Sequence, residues 1–363
     1  MLPGMKKMQY KAYLKEKAED YHSADFAGNL LVKIARKEND TKAEKEAWLL
    51  VANGWEKMSE MMKDRPMIVK ADAMSKAADA YKKGGDDVGY SRCLMASQES
   101  LRDKSGWKSY SYSIDLKCII DRFEQKFNGA SINKKILLIM EFTKISHDTV
   151  RNRFEDNKKA NPLYGLFNSQ TIDDKGIVRS STKEFATNNK NEDETFLIKE
   201  AINYINLQSY IIVFFNQRYI LSEIDNVTFS EIIKPLLPEN VRMIDYILRT
   251  ALSGYSEIVI EPLLISFESF LAALLEQNGL SSIKQLEDKD VQEDLTMGAL
   301  LAKCKEHNLI EEDDAFLLEA LLCNKNGLNL RNLSSHRLTS DSGRFNVTYL
   351  FCSYFLLRLL MKY

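Results

Sequence analysis

NVTYLFCSYFLLRLLMKY, residues 346–363, is the stretch of this chain that decides its fold. Apolar side chains occupy every side of a helix built from these residues, and such a helix is normally buried. We therefore expect it to lie inside a domain or in a dimer interface. Its most apolar part, residues 349–361, is too short to span a bilayer and contains Arg358, so the sequence predicts no membrane span.

Helical periodicity extends from this stretch towards the N-terminus. Apolar residues recur at helical spacing in most of residues 10–154 and again from residue 196 onward. We predict an all-α fold with an irregular helical array in residues 1–155 and a helical bundle in residues 196–363. The array is either a packed helical domain without a binding role or a scaffold that binds a partner.

The segment between the two helical parts, residues 156–195, is polar and rich in Asn, Lys, Asp and Thr. We predict a linker with at most a short β-hairpin at residues 171–179, where Asp174 and Gly176 tolerate the positive φ of a tight turn. The other interpretation is an ordered loop that packs on the second half of the chain.

Composition sets limits on the function. The chain has 363 residues with 50 basic and 52 acidic side chains, and this balance argues against a nucleic-acid clamp that uses the whole surface. Any RNA site must therefore be local. The five cysteines are odd in number and form no CxxC pair, which favours a reducing cytoplasm over a disulfide framework or a zinc ribbon. The first ten residues carry no apolar segment of a secretory signal, and the sequence contains no P-loop, Rossmann glycine motif or nucleophile elbow.

Residues 328–336, LNLRNLSSH, carry the most distinctive group of side chains. A permanent cation, an amide, two hydroxyls and a side chain that titrates near neutral pH lie within nine residues, which suits chemistry on a phosphodiester. Gly327 would end the preceding helix in a left-handed conformation, and Asn329 would cap the next one. Arg331 then falls in the first turn of the new helix, where free backbone N–H groups favour an anion.

The reaction predicted from these residues is attack of a ribose 2′-hydroxyl on the adjacent phosphorus. His336 would act as general acid or base and Arg331 would hold the phosphate and stabilise its charge, without a metal or a cofactor. Asn332 and Ser335 would position the phosphate or the imidazole. Arg331 and His336 diverge by about 140° on a helix, so a second copy of the motif from a symmetric partner would complete the site. On the other interpretation, Arg331 pairs with a carboxylate and His336 packs as a neutral core residue.

Glu268 is the candidate supporting residue outside this motif. It interrupts residues 263–275, an otherwise largely apolar run. A carboxylate on a buried helix face needs a cation or hydrogen-bond donors. Either Glu268 orients Arg331 or His336, or it lies exposed on the outer face of its helix.

The string Arg331-Asn-Leu-Ser-Ser-His336 resembles the R-x4-H signature of HEPN-type RNA-processing domains. Residues 328–336 are similar to the C-terminal L-N-L-R-N-x-x-x-H signature of one bacterial HEPN-like family, and the resemblance covers roughly residues 203–338. It implies an all-α bundle, a homodimer that brings two Arg/His motifs together, and metal-independent endoribonuclease activity on RNA. Many HEPN-type proteins are toxins or act in antiviral defence against phage, and some are inactive RNA binders.

Two positions depart from the family pattern. Arg337 stands where a glycine usually follows the histidine, and it would either add a phosphate contact or crowd the site. Ala272 stands where an arginine is expected four residues after the carboxylate of Glu268. Two hypotheses follow. On the first, the chain is a HEPN-type endoribonuclease whose N-terminal array regulates it or recognises a trigger, and a regulatory protein partner is expected. On the second, it is a catalytically silent dimerisation module that binds RNA or protein.

Overall fold

The computed structural model describes residues 7–20, 23–62, 67–103, 115–160, 170–172, 178–181, 192–256, 258–285, 292–335 and 344–363. Most of these residues are helical, which confirms the predicted all-α fold. They fall into two compact units. The N-terminal unit lies within Met1–Tyr112 and Thr171–Arg179, and the C-terminal unit lies within Ser113–Gln170 and Ser180–Tyr363.

The described part of the N-terminal unit contains consecutive helices that each pack against the next one in the sequence. They are α1 (Lys7–Glu19), α2 (Ala24–Lys37), α3 (Thr41–Met61), α4 (Met67–Gly84) and α5 (Asp87–Arg102). The carboxylate of Asp40 fixes the start of α3 by accepting a hydrogen bond from the backbone N–H of Ala43 at 2.9 Å. The helices α2 and α3 approach closely because Gly54 has no side chain: a Cβ atom there would lie 2.1 Å from the Cβ of Ala24.

The C-terminal unit holds the remaining helices. They are α6 (Lys117–Phe127), α7 (Ile132–Met140), α8 (His147–Ala160), α9 (Glu192–Tyr219), α10 (Ser230–Ile233), α11 (Val241–Thr250), α12 (Ile260–Gln277), α13 (Met297–Glu306), α14 (Glu312–Leu318), α15 (Leu330–Ser335) and α16 (Arg344–Lys362). Short 3-10 turns lie at Glu141–Thr143, Ile224–Asn226 and Pro238–Asn240, and π-helical segments lie at Ala251–Tyr255 and Glu319–Cys323.

Helix α16 lies at the centre of this unit. Residues 349–360 are all buried, and α16 packs against α7, α9 and α12. The buried helix predicted from the apolar stretch is therefore confirmed, and its burial occurs within one chain. Across the described parts of the chain, no helix combines the length and the apolar character needed to cross a bilayer.

Helices α6 to α8 belong to the C-terminal unit, although residues up to 155 were predicted to lie in the N-terminal array. The ring of Phe215 on α9 stacks on Phe127 of α6 with ring centroids 4.7 Å apart. The same ring stacks on Phe142 of the following 3-10 turn at 5.6 Å. Helical periodicity marks one face of a helix as apolar but does not say which core covers that face.

Two pairs of β-strands occur in the described residues. The strands β1 (Gln170–Ile172) and β2 (Val178–Ser181) pair within the predicted linker. The strands β3 (Ile283–Gln285) and β4 (Gln292–Asp294) pair antiparallel after α12, and their residues are exposed. The second strand pair was not predicted, because IKQ and QED show no alternation of apolar and polar residues.

Arg358 is a cation in the buried part of α16, and a buried charge needs a partner. Its Nη2 donates to Oδ1 of Asp314 at 2.6 Å, its Nε donates to Oγ1 of Thr143 at 3.0 Å, and Nζ of Lys362 lies 2.7 Å from Oδ2 of Asp314. Burial alone would raise the pKa of Asp314, but the hydrogen bonds and charges of Lys362 and Arg358 outweigh it and lower the pKa. Asp314 is therefore ionised at neutral pH and holds the start of α14 against the end of α16.

Candidate functional site

The candidate site is built around an ion pair between α15 and α12. Nε of Arg331 lies 2.6 Å from Oε1 of Glu268, and Nη2 of Arg331 lies 3.5 Å from Oε2 of the same carboxylate. The side chains of Arg331 and Glu268 are 32% and 25% exposed, so the pair is partly buried and still reaches the surface. The structure thus brings together two of the predicted site residues that are distant in sequence.

The segment before α15 makes a tight turn out of the π-helical segment Glu319–Cys323. The backbone N–H of Leu328 donates to the carbonyl oxygen of Ala320 at 2.9 Å. A Cβ atom on Gly327 would lie 2.1 Å from that same oxygen, so only glycine fits without movement of the backbone. Leu330, the first residue of α15, is fully buried and anchors the start of the helix.

The predicted left-handed conformation of Gly327 is wrong. The residue with positive φ in this turn is Asn329, at 48°, and Gly327 is required for close approach instead. Asparagine tolerates the left-handed region better than other residues with a side chain, which explains why it stands at this position. Asn329 directly precedes α15, and its carbonyl oxygen accepts the first helical hydrogen bond, from Leu333 at 3.1 Å.

We expect Gly327→Ala to destabilise the turn that carries Arg331, because the added methyl group would collide with a backbone oxygen. Such overpacking costs about 1–3 kcal/mol. Chemical denaturation followed by circular dichroism would measure the change. Gly298→Ala is the matched control, since a Cβ atom on Gly298 meets nothing within 4 Å. Equal stability of the two variants would contradict the steric role of Gly327.

The structure describes only some of the other predicted site residues. Asn332 is exposed, and its Nδ2 donates to Oδ1 of Asn329 at 2.8 Å. Ser335 ends α15, but its side chain lies outside the described residues. His336 and Arg337 also lie outside the described residues, so the pairing of Arg331 with His336 stays a prediction.

Cys323 is a neighbour of the ion pair that sequence reasoning missed. Burial, followed by the negative charges of Glu319 and Glu268, raises the pKa of the Cys323 thiol to about 12. A thiol with such a pKa is protonated at neutral pH and is a poor nucleophile. The site therefore lacks a cysteine nucleophile in its described part, and no sequence motif marks Cys323 as a neighbour of Glu268.

Metal ligands are a separate question. In the parts of the chain that the structure describes, no group of three or more His, Cys, Asp or Glu side chains is arranged to hold a metal ion. Glu268, the carboxylate that contacts the motif through Arg331, is engaged by a guanidinium. The arrangement offers a fixed cation beside a carboxylate, which is a suitable contact for a phosphate group.

No protein-family model, curated protein or solved structure matches this chain in the three comparisons with known proteins.

Proposed function

We propose that this chain is a HEPN-like, metal-independent endoribonuclease. The observation that carries the proposal is the ion pair of Arg331 with Glu268, which presents a guanidinium from the R-x4-H motif at a partly exposed position. A guanidinium sealed in an apolar core would have no access to RNA. The resemblance of residues 328–336 to the HEPN signature supplies the reaction class.

In the proposed reaction, the ribose 2′-oxygen forms a bond to the adjacent phosphorus, and the bond from phosphorus to the 5′-oxygen breaks. His336 takes the proton from the 2′-hydroxyl or delivers one to the leaving 5′-oxygen. Arg331 binds the non-bridging oxygens and stabilises their charge in the transition state. Asn332 and Ser335 support this arrangement, and Arg337 adds a contact to the substrate phosphate. A symmetric second copy brings the opposite motif to the same scissile bond, and the cellular role is that of a toxin or of antiviral defence.

Glu268 acts in this scheme as a positioning residue. It engages the guanidinium through Nε and Nη2, and so fixes the plane of the Arg331 side chain while leaving it 32% exposed. Arginine has many rotamers, and immobilising it on binding costs side-chain entropy. A guanidinium that is already oriented in the free protein loses less of this entropy when a phosphate arrives.

The second candidate function is a catalytically inactive module for dimerisation and for binding RNA or protein. The same ion pair favours it in one respect, because Glu268 compensates the charge with which Arg331 would attract a phosphate. Carboxylate and phosphate then compete for one guanidinium. The two functions differ in whether a phosphodiester bond is broken.

Incubation of the purified full-length chain with total RNA in the presence of EDTA tests the proposal. We expect RNA fragments to accumulate with time, since no step of the reaction uses a divalent ion. Retention of intact RNA in complexes with the protein, without fragments, would favour the second candidate. RNA that is neither cut nor bound would overturn the proposed ribonuclease and would remove RNA as the ligand of the second candidate.

We expect Glu268→Gln to lower kcat by about tenfold, because a neutral amide holds a guanidinium less strongly than a charge-assisted hydrogen bond does. Initial rates on a fluorescent RNA would measure this, with substrate titrated so that kcat and KM separate. Glu261→Gln is the matched control on the first turn of the same helix, where the carboxylate is exposed. Rates that are equal in both variants would contradict a positioning role for Glu268.

A further inference from the structure

A cavity of about 570 Å³ lies in the C-terminal unit, at the ends of several helices. The end of α7 and the following turn form one side of it, the start of α14 forms another, and the last turns of α16 form the floor. Its volume lies within the range of small-molecule sites, which is roughly 300–1,000 Å³. None of the proposed RNA-cleaving residues lines this cavity, so it is a separate feature of the molecule.

Arg358 is a charged residue that lines the cavity from α16, and its side chain is 10% exposed. Its contacts to Thr143 and Asp314 use Nε and Nη2. Within the described residues, Nη1 makes no hydrogen bond. A guanidinium carries two N–H donors on Nη1. These two donors are available to a carboxylate that enters the cavity.

The cavity is also lined by Asp313, whose carboxylate has one oxygen in a hydrogen bond and one without a partner in the described residues. Oδ1 of Asp313 accepts a hydrogen bond from the backbone N–H of His147 at 2.7 Å, where α8 begins. In the described residues, Oδ2 of Asp313 has no partner. Asp313 lines the cavity beside Asp314, the partner of Arg358. The lining thus offers a cation with free donors and a carboxylate with a free acceptor.

The overall charge of the lining decides which ligand fits. Four acidic residues line the cavity, Glu141, Glu311, Asp313 and Asp314, against three basic ones, Lys144, Arg358 and Lys362. A ligand that carries only a negative charge would add to this acidic excess, and a simple cation would leave the Nη1 donors of Arg358 unpaired. A zwitterion satisfies both Arg358 and Asp313 and adds no net charge.

The rest of the lining is aliphatic. Leu137, Met140, Ile145 and Met361 provide apolar surface next to the charged groups. Burial of an aliphatic side chain against them would contribute to binding through the hydrophobic effect. Methionine side chains adapt to ligands of somewhat different shape.

We propose that this cavity binds a free α-amino acid with an aliphatic side chain. The carboxylate of the ligand contacts Nη1 of Arg358, its ammonium group contacts Oδ2 of Asp313, and its side chain packs against Leu137 and Met361. The site is independent of the proposed RNA chemistry, since it uses none of the same residues.

Isothermal titration of the full-length chain with leucine tests the proposal, with hexanoate and hexylamine as probes that each carry one charged group. We expect leucine to bind and each single-charge probe to bind at least about tenfold more weakly, because each loses one charge-assisted hydrogen bond. Failure of leucine to bind, or affinity for hexanoate or hexylamine equal to that for leucine, would overturn the proposal.

Variants locate the binding site without removing Arg358, whose loss would leave Asp314 without one of its two cationic partners. Leu137→Trp fills the cavity from a wall residue that is 39% exposed, and should abolish leucine binding. Leu221→Trp is the matched control, at a position 43% exposed in the same unit and outside the lining, and should bind leucine normally. Asp313→Asn retains Oδ1 as acceptor for His147 and should weaken leucine binding by about tenfold. Unchanged affinity in Leu137→Trp would show that leucine binds elsewhere.

Discussion

RNA cleavage by the His336→Ala variant is expected to fall by a factor of about 10²–10⁴, which is the usual contribution of a general acid or base. Alanine cannot transfer a proton to or from the reacting oxygens, while the remaining surface of the protein should still bind RNA. Initial rates on a fluorescent RNA with EDTA present would measure the loss. A filter-binding measurement on the same variant should show affinity for RNA close to that of the wild type.

Arg331→Ala belongs to the same experiment, since loss of the guanidinium removes the proposed stabilisation of phosphate charge. Arg242→Ala is the matched control, because Arg242 is an exposed arginine on α11 in the same unit. It should cleave RNA at the wild-type rate. Cleavage that persists in both His336→Ala and Arg331→Ala would mean that the activity does not arise from this motif.

Asp314→Ala is expected to lower the free energy of unfolding by about 3–5 kcal/mol, the usual cost of leaving a buried ion pair without one partner. The Asp314 side chain is 1% exposed, and its removal leaves Arg358 in the core without a carboxylate. Chemical denaturation would measure the change. Asp156→Ala is the matched control, since Asp156 lies 3.8 Å from Lys159 in an exposed pair, and such pairs contribute at most about 1 kcal/mol.

The destabilisation by Asp314→Ala should also depend on pH. The pKa of Asp314 is lowered in the folded chain, so its ionised form stabilises the fold above the pKa of the unfolded chain, about 3.9. This contribution is lost as the pH falls through the lower folded value. The stability difference between wild type and variant should therefore be full at pH 7 and shrink below about pH 4. A difference that stays constant down to pH 3 would contradict the role of the ionised carboxylate.

The fold class could be predicted from the sequence because its strongest signal is local. Residues 346–363 would form a helix with apolar residues on every side, and such a helix is normally buried. Arg358 within this helix indicates that a counter-ion must lie close to it. The sequence does not identify that counter-ion, because Asp314 lies 44 residues away and looks like any acid at a helix start.

The candidate site shows the same division between local and distant information. The motif around Arg331 can be recognised in the sequence. Its contact with Glu268 spans 63 residues and depends on how α12 and α15 pack. The sequence allowed an exposed Glu268 equally well. Gly327 shows a further limit of sequence-based prediction. A glycine at this position indicates a turn, but only the structure shows that it is required for close approach to the Ala320 carbonyl and not for a left-handed backbone.

The measurement that tests the proposed ribonuclease most directly is the chemical identity of the RNA ends that the wild-type protein makes in the presence of EDTA. Attack by the 2′-hydroxyl leaves a 2′,3′-cyclic phosphate, or its opened phosphate, on one fragment and a 5′-hydroxyl on the other. We predict these ends for the wild type and their absence for His336→Ala. Fragments that carry 3′-hydroxyl and 5′-phosphate ends, or cyclic-phosphate ends that form equally with His336→Ala, would contradict the proposed function.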